Sequence, residues 1–385
     1  MVSDSLVLQP DSLITPEDWQ VFALNGSEAE DASDGQEVSS LLQSSKDVFS
    51  QFASFQFSAG RYRPRGYAGS YSQVWLNGIS FSNPETNAVS WSDWGGLNDV
   101  TRFSETKYGA MPGREGFSGI AGYTAMDCRA SALKKGLRVS TLTTNRTYRQ
   151  RYMLTYTSGL SNQGWAFAVS ASLRSGQEVM IPGTFYSGGS VYGSIEKKLN
   201  RRQSLCAYVM YAPNRQGRSS NSTLETYALA KSNLYNSNWG LQNGKVRNAS
   251  VSGVSRPLLL LVHEYLLAAD KRIHNSFLLQ AGESSLSGIN WNGTTHPRPD
   301  YYRYLPSYAT MNGDTGMGRQ VQELWTNDIS TRQLNWDRFI EQNRNNLYSL
   351  DAPNGSNINT EETRARTIVE KRVERMLQFK WSSVY

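Results

Sequence analysis

The residues best suited to chemistry lie close together in the run Trp91-Ser-Asp93-Trp94 and at nearby Asp99. Tryptophan rings can stack on a sugar ring. A glycoside hydrolase needs two carboxylates, placed either about 5 Å or ~6.5–9.5 Å apart. Asp93 and Asp99 therefore support one hypothesis, that of a secreted, soluble β-rich protein that binds or cleaves glycans.

Other reactive side chains are sparse in this sequence. The three histidines, His263, His274 and His296, have no partner at the spacing of a metal site. The two cysteines, Cys128 and Cys206, exclude a disulfide scaffold and a Cys-rich metal site. We therefore expect no metal and no cofactor, and we expect that the chain is not an enzyme.

Charge and hydropathy exclude further classes of protein. The chain has 385 residues with 39 Lys and Arg against 33 Asp and Glu, but its basic residues form no dense run, so no nucleic-acid partner is expected. The longest apolar run, Leu258–Val262, is too short for a membrane helix. The start at Met1 lacks the basic and apolar regions of a signal peptide, so export of the chain as it stands is not expected.

Turn residues and short β-type runs alternate between Arg61 and Asp99. The β-type runs are Phe55–Phe57, Gln73–Leu76 and Leu97–Thr101. Asn77-Gly78 directly follows the second run, and an Asn-Gly pair in that position is a strong signal for a two-residue hairpin. The region predicts a small domain of short strands.

From Gly136 onward, apolar and polar residues alternate with period two, as in strands that have one apolar and one polar face. In Gly164–Ser175, for example, Trp165, Phe167 and Val169 share one face. Eight strands are predicted: Leu137–Thr144, Arg149–Thr157, Gly164–Ser175, Gly189–Leu199, Ser204–Tyr211, Arg256–Leu266, Arg272–Ala281 and Glu374–Tyr385.

The connections between these strands alternate in length, which is typical of a membrane β-barrel with short turns on one side and long loops on the other. The short ones are Ser161–Gly164, Asn200–Gln203 and Ala268–Lys271, and the long ones are Gly176–Ser187, Pro213–Gly253 and Gly282–Arg364. The fold class predicted is mainly β: a small α+β domain, then a partial transmembrane antiparallel β-barrel of about eight strands.

Three regions are predicted along the chain. Residues 1–36 are acidic and predicted to be flexible, 37–132 form the small domain, and 133–385 form the barrel part with long loops. Short helices are predicted at Glu37–Phe49, Thr223–Lys231 and Leu334–Asn345. Aromatic and amide residues of the long loops suit sugar or peptide contacts and suit packing within the loops equally well. The candidate ligand contacts are Tyr235, Asn238, Trp239, Tyr301 and Tyr302.

Several motifs together resemble the plug and first barrel strands of TonB-dependent outer-membrane receptors. They are R-Y-R-P-R-G-Y (61–67), V-W-L-N-G-I (74–79), W-G-G-L-N-D-V (94–100), S-G-I-A-G-Y-T (118–124), R-A-S-A-L-K-K-G-L-R-V-S (129–140), Y-N-S-N-W-G-L-Q-N-G-K-V-R-N (235–248) and R-P-D-Y-Y-R-Y-L-P-S-Y (298–308). The resemblance covers roughly residues 35–385. It is greatest to the Bacteroidetes branch, which carries a carboxypeptidase-like regulatory extension.

The resemblance implies energy-coupled uptake of a scarce nutrient (a siderophore, glycan or peptide) across the cell outer membrane. The implied partners are a TonB-type energy-coupling complex, outer-membrane lipid, a surface lipoprotein and the ligand itself. It assigns plug-core or gating roles, by position, to Arg61, Arg63, Arg65, Gly66, Asn77 and Gly78. Because the family barrel has ~22 strands, the eight strands of this chain are expected to be a fragment of a receptor.

Overall fold

The computed structural model describes residues 67–385 apart from 68, 84–86, 88, 102–103, 108, 114, 117–118, 146, 269–270, 345, 351–361 and 366–367. The strand predicted at Phe55–Phe57 and the helix predicted at Glu37–Phe49 lie outside the described residues. The described part is mainly β, as predicted, with a small four-stranded sheet followed by a much larger antiparallel sheet.

The small domain is built on four short strands: β1 (Ser72–Leu76), β2 (Ile79–Ser80), β3 (Ser104–Lys107) and β4 (Gly122–Met126). Their order in the sheet is β2-β1-β4-β3, and β1 runs parallel to β4. The hairpin predicted at Asn77-Gly78 is confirmed, since β1 and β2 are antiparallel on either side of it. Asn77 and Gly78 both have positive φ, at 42° and 82°, as the tight two-residue turn requires.

The strand predicted at Leu97–Thr101 is wrong. A 3₁₀ helix at Trp91–Trp94 precedes it, and the chain continues in turns. The amide of Leu97 donates to the carbonyl of Trp94 at 3.1 Å, and the amide of Val100 donates to the carbonyl of Leu97 at 3.0 Å. These local bonds satisfy the backbone, so no strand partner is needed.

The large sheet contains ten strands. They are β5 (Gly136–Thr143), β6 (Gln150–Thr157), β7 (Trp165–Gln177), β8 (Phe185–Lys198), β9 (Gln203–Tyr211), β10 (Asn214–Gly217), β13 (Val251–Ser255), β14 (Leu258–Leu266), β15 (Arg272–Ile289) and β18 (Val369–Val384). Two further hairpins lie apart from it: β11 (Trp239–Gln242) with β12 (Lys245–Asn248), and β16 (Leu347–Leu350) with β17 (Glu362–Ala365).

The ten strands form eight continuous ones, which confirms the predicted number. β9 and β10 both pair with β8 and are interrupted only at Ala212-Pro213, while β13 and β14 both pair with β15 and are interrupted at Arg256-Pro257. Proline cannot donate to the ladder, so it sits at such a break. The eight strands follow one another as an antiparallel meander from β5 to β18.

The alternation of connections is confirmed for two of the three predicted long loops. The stretches 218–250 and 290–368 are long. The third, predicted at Gly176–Ser187, is wrong, because β7 continues to Gln177 and β8 begins at Phe185. Strands therefore extend further on the long-loop side than the apolar alternation indicated.

The long connections carry four helices in their described part: α1 (Leu224–Ala230), α2 (Pro306–Met311), α3 (Thr315–Asn327) and α4 (Trp336–Arg344). The two helices predicted in these loops are confirmed as α1 and α4. Thr223 caps α1, since its side chain accepts from the amide of Thr226, and Lys231 ends the helix with a positive φ of 53°. We call the described residues of 218–250 and 290–346 the loop layer.

Each strand of the large sheet has two chemically different faces. The inward face contacts the small domain, and the shared core joins Trp94, Leu97 and Met126 of the small domain to Tyr208 and Leu260 of the sheet. The outward face carries exposed apolar side chains, among them Phe167, Val169, Leu173, Ile195, Val209, Leu279 and Trp381. This arrangement positions the site described next.

Candidate functional site

The turn at Asn77-Gly78 is a point of close approach between the small domain and the large sheet. The buried amide of Asn77 donates to Asp127 Oδ1 at 2.7 Å. Its oxygen accepts from the amide of Cys128 at 3.0 Å and from the hydroxyl of Tyr208, on β9, at 2.9 Å. One side chain thus ties the turn to the end of β4 and to the large sheet.

Gly78 allows this approach because it has no side chain. A Cβ at this position would lie 2.6 Å from Cδ2 of the His274 ring, on β15. The carbonyl of Asn77 accepts from Ser276 Oγ and lies 3.0 Å from His274 Nε2. The amide of Gly78 donates to Glu115 Oε2 at 2.6 Å. The turn is therefore held by backbone atoms as well as by the asparagine.

Four charged or titratable residues beside this turn form what we call the Arg129 cluster: Asp127, Arg129, Glu264 and His274. The Arg129 guanidinium binds Asp127 with two nitrogens, at 2.9 and 2.5 Å, and also binds Glu264 of β14. Glu264 Oε1 lies 3.2 Å from His274 Nδ1. The cluster links the chain that leaves β4 to two neighbouring strands of the large sheet.

Arg129 stays charged in this buried setting. Burial alone would lower its pKa, but Asp127 and Glu264 raise the pKa of Arg129 well above its usual range. Removing one partner of a buried ion pair leaves an uncompensated charge and costs about 3–5 kcal/mol, although the intact pair adds little net stability. The cluster therefore specifies one docked position of the small domain while contributing little net free energy to it.

Further polar contacts spread over the inward face. The backbone amide and hydroxyl of Ser131 donate to Glu196 of β8, at 2.9 and 2.8 Å. Gln280 of β15 donates to Asp93 at 2.8 Å. Lys380 of β18 donates to the carbonyls of Ser80 and Ser82 at 2.7 and 3.0 Å. The small domain is held by polar contacts from strands across the sheet.

Two glycines of the small domain, Gly95 and Gly96, approach the inward face near its long-loop end. A Cβ on Gly96 would lie 2.4 Å from Ser172 Oγ, and one on Gly95 would lie 3.0 Å from the Arg174 guanidinium. Arg174 is buried and its guanidinium lies over the ring of Tyr186, 5.0 Å from the centroid. These glycines let the Trp91–Trp94 segment dock against the sheet.

The residues proposed for sugar chemistry are part of this docking surface. Trp91 and Trp94 are buried and pack edge to face, with ring centroids 5.6 Å apart. Burial raises the pKa of the Asp93 carboxyl, although neighbouring Arg256 opposes the shift. Asp99 binds Arg138 at 3.0 Å. The described geometry offers these rings and carboxylates no open face for a sugar.

Among the other predicted site residues, Arg61, Arg63, Arg65 and Gly66 lie outside the described residues. Arg129 begins the 129–140 motif, but that motif does not single it out as a contact with the sheet. Glu264 and His274 belong to no motif, and their sequence signal is that both fall at inward positions of the alternation along β14 and β15. The alternation identifies these residues as contacts with the small domain only after the inward face of the sheet is known.

The predicted loop residues fall into two groups. Tyr235 is buried between Leu229, Leu305 and Trp325, and its hydroxyl donates to the carbonyl of Arg332 at 3.0 Å. Asn238 and Trp239 are half-buried where β11 begins. The side-chain amide of Asn238 donates to the backbone carbonyl of Arg218 at 3.4 Å. The backbone carbonyl of Trp239 accepts from the backbone amide of Leu334 at 2.9 Å.

Tyr301 and Tyr302 belong to an aromatic cluster on the surface of the loop layer. The ring of Tyr301 stacks on His296 with centroids 4.3 Å apart, and His296 in turn contacts Trp291 at 4.4 Å. Tyr302 is 52% exposed and meets Tyr301 edge to face at 4.8 Å. Burial and the nearby Arg298 lower the pKa of His296, so the stacked imidazole is neutral at neutral pH.

Asp300 joins the two long connections beneath this cluster. It accepts from Ser222 at 2.5 Å and from Ser237 at 2.9 Å, and Arg298 donates to both of its oxygens, at 2.9 and 2.7 Å. Burial would raise the pKa of Asp300, but the bonds from Arg298 and Ser222 outweigh burial and lower it. Asp300 is therefore one of the charged residues that hold the two connections of the loop layer together.

Two features are absent from the described ranges. No three His, Cys, Asp or Glu side chains there are grouped so that they could hold a metal ion. No helix in that part of the chain is both long enough and apolar enough to cross a membrane.

Comparison with known proteins gives similarity of fold only. No family profile and no curated protein matches the sequence. Among solved structures, the chain is similar to the siderophore receptor PiuA from Acinetobacter baumannii, with TM-score 0.38 and 15% identity over 59% of this chain and 31% of that one. It is also similar to the ferric-catecholate import receptor Fiu from E. coli, with TM-score 0.42 and 13% identity over 60% and 34%.

A third similar structure is the ferripyoverdine receptor of the outer membrane of Pseudomonas aeruginosa, with TM-score 0.39 and 12% identity over 61% of this chain and 31% of that one. This chain thus spans about a third of the length of these receptors. At this level of similarity, function has to be argued from the residues of this chain.

We predict that Gly78→Ala destabilises the docked small domain more than the matched substitution Gly244→Ala. Both glycines are second in an Asn-Gly turn, with φ of 82° and 75°, so both substitutions incur about 1–2 kcal/mol of backbone strain. Only at Gly78 does the new Cβ meet a side chain, His274, which adds ~1–3 kcal/mol. Denaturant unfolding measures both; equal losses would contradict the close approach.

Arg129→Gln should loosen the small domain, because it removes the guanidinium that bridges Asp127 and Glu264 and leaves Glu264 with the more distant guanidinium of Arg272, at 3.7 Å. The expected loss is about 3–5 kcal/mol, seen as faster hydrogen exchange in β1 and β2. The control is Arg344→Gln, which removes the exposed ion pair with Glu341 on α4. Unchanged exchange in the Arg129 variant would show that the cluster does not hold the domain.

Asp300→Asn should weaken the association of the two long connections, which Glu225 and Arg332 also join. Loss of the bonds to its charged oxygens is worth about 1.5–3 kcal/mol and should speed exchange of residues 218–250. Since the folded-state pKa is lowered, the stabilisation is present above the unfolded value of about 3.9 and is lost as pH falls through the folded value. Asp328→Asn, at an exposed 3₁₀ N-cap, should leave this exchange unchanged.

Proposed function

We propose that this chain is part of an outer-membrane receptor that takes up a nutrient, with the large sheet as barrel wall and the small domain as plug. The single observation that carries the proposal is the distribution of side chains on the sheet. Its exposed face is apolar and its covered face is largely polar, the reverse of a soluble sandwich.

The outward face is continuous across all eight strands. One row of directly opposed residues runs Leu137, Tyr156, Val169, Gly193, Val209, Leu259, Leu279, Phe379. Phe167, Val169 and Leu173 are 45%, 54% and 67% exposed, so no second sheet of the described chain covers them. Contiguous exposed apolar surface of this extent suits contact with lipid.

The inward face pairs polar groups with one another. Thr155 and Ser170 are hydrogen-bonded at 2.7 Å, and Ser172 and Ser190 are bonded at the same distance. Such side chains suit the polar lumen of a barrel. A plug in this lumen can exchange its polar contacts for water when it moves, which an entirely apolar interface could not do without loss.

The wall needs further strands. Within the described chain, β5 and β18 each pair on one side only. Hydrocarbon does not tolerate unpaired strand edges, and a closed eight-strand barrel has room only for its own side chains. We infer that further strands, from a longer chain or a second one, complete a larger barrel, and that this chain corresponds to its truncated first part.

The mechanism proposed is a gated movement without covalent chemistry. An inner-membrane TonB-type complex would pull on the plug through its N-terminal side, and the Arg129 cluster and the Asn77-Gly78 turn would release. A siderophore, glycan or peptide would first bind the loop layer, where exposed Tyr302 with Tyr301 offers contact. We assign Tyr235 to packing within this layer. A Bacteroidetes-type receptor with a surface lipoprotein partner is the finer form of the proposal.

The competing hypothesis, a soluble glycan-active protein, has less support. It needs Trp91 and Trp94 open to a sugar, whereas both rings are buried against the sheet. It also leaves the exposed apolar outward face without a role.

The proposal is tested by introducing a charged side chain on the outward face of the large sheet. Leu279→Arg places a cation in the middle of the proposed lipid face, and we expect a loss of about 2–4 kcal/mol in the free energy of unfolding of the chain folded in phospholipid–detergent micelles. The matched control is Leu324→Arg on α3, where the leucine is 47% exposed against 40% for Leu279. We expect a change there within ~0.5 kcal/mol.

Two results would overturn the proposal. One is equal, small effects of Leu279→Arg and Leu324→Arg. The other is a full-length chain that folds as a monomer in water without detergent or lipid.

A further inference from the structure

The outward face holds a cavity near its short-turn end. Its volume is about 460 Å³, and its walls are mostly apolar. The apolar walls are Trp165, Ile195, Leu205, Leu261, Phe277 and Trp381. If the sheet spans a membrane, as proposed above, this cavity opens towards lipid.

The cavity arises from one small residue. The register places six outward residues directly opposite one another in what we call the second row: Phe167, Ile195, Ala207, Leu261, Phe277 and Trp381. All are large except Ala207. Gly193, in the neighbouring row, has nothing within 4 Å of the position a Cβ would take. Ala207 lines the cavity, and its short side chain leaves the space between the larger residues of this row open.

The rim of the cavity is polar. One step nearer the short turns lies what we call the end row: Trp165, Lys197, Leu205, His263, Asn275 and Ser383. Asn275 accepts from Ser383 Oγ at 2.7 Å and its amide nitrogen lies 3.3 Å from His263 Nδ1. Outward chemistry therefore changes from apolar to polar within one step along the strands.

Lys197 is held in place on this rim. Its ammonium lies 4.5 Å from the centroid of the Trp165 ring and donates to the carbonyl of Gln163 at 2.8 Å. The adjoining turns add exposed cations at Lys198, Arg201, Arg202 and Lys271. Trp beside Lys or Arg at the end of an apolar span is typical of the membrane interface, where an anionic headgroup would sit.

We propose that this cavity binds one anionic glycerophospholipid, with an acyl chain against Ala207 and the phosphate at Lys197. Charge complementarity decides the occupant. A zwitterionic lipid would gain less from the cationic rim, and a protein segment would have to leave its backbone groups unpaired in hydrocarbon. The proposal depends on the membrane location argued under Proposed function.

Because the edges of β5 and β18 that are unpaired in the described chain keep it from spanning a bilayer alone, the test uses the full chain folded in mild detergent with phosphatidylcholine and phosphatidylglycerol in equal amounts. Native mass spectrometry then counts the lipids retained. Because a surface cation is worth ~1 kcal/mol towards an anionic lipid, we expect about fivefold preferential retention of phosphatidylglycerol.

Three variants make the test specific. Lys197→Gln should lower the preference, because the cations of the adjoining turns remain, and Lys197→Arg should keep it at the level of the unchanged chain. Ala207→Leu fills the cavity with an apolar side chain on a face that already bears them, and should reduce retention of both lipids. Lys245→Gln, an exposed lysine in the loop layer, should change neither result.

The outcomes separate the two proposals. Equal retention of both lipids by the folded chain would overturn the lipid site alone. So would a preference that Lys197→Gln and Ala207→Leu leave intact, or a dimer that covers the cavity in place of bound lipid. A chain that folds as a monomer in water without detergent would overturn both this site and the membrane location.

Discussion

The structure depends on one constraint, that successive side chains of a strand point to opposite faces of the sheet. An antiparallel meander of eight strands therefore sorts its sequence into two surfaces of different chemistry. Here the polar surface is covered and the apolar surface is exposed. Because register is set by this alternation, a slip of one residue would move Val169 inward and Ser170 outward, together with their whole rows. The small domain can dock only on the correctly registered sheet.

The contacts between the small domain and the sheet combine specificity with modest net stability. Burying Arg129 requires both Asp127 and Glu264. The attraction between such buried charges roughly offsets the free-energy cost of their desolvation. The apolar contacts of Trp94 and Leu97 with the sheet stabilise docking but do not fix the orientation of the small domain. The polar contacts of Asn77 and Ser131 fix that orientation. These two kinds of contact together suit the proposed plug, which has to be firmly placed and yet removable.

Sequence alone predicted the features that depend on alternation and on turn chemistry. The eight strands follow from period-two patterning, and the hairpin follows from Asn77-Gly78. Pairings that cross the chain were not predictable, because nothing local in Glu264 or His274 reveals that a turn almost 200 residues away rests on them. The strand predicted at Leu97–Thr101 failed because Gly95-Gly96 favour a turn that supplies its own hydrogen bonds. Helices α2 and α3 were not predicted, although Pro306 begins α2 and Asp314 caps α3. Arg61, Arg63 and Arg65 lie beyond the described residues.

The two ends of the large sheet differ in a way that gives it a direction. At one end the turns are short, cationic and bordered by Trp165 and Trp381, so little protein stands between the sheet and a charged lipid surface. At the other end the strands continue past the prolines at 213 and 257 into the loop layer, which has its own cores around Trp325 and Trp336. The Arg129 cluster lies towards the short-turn end, and the aromatic cluster of Tyr301 belongs to the loop layer. A ligand arriving at the loop layer and a force applied from the short-turn side would therefore act on opposite ends of the same covered surface.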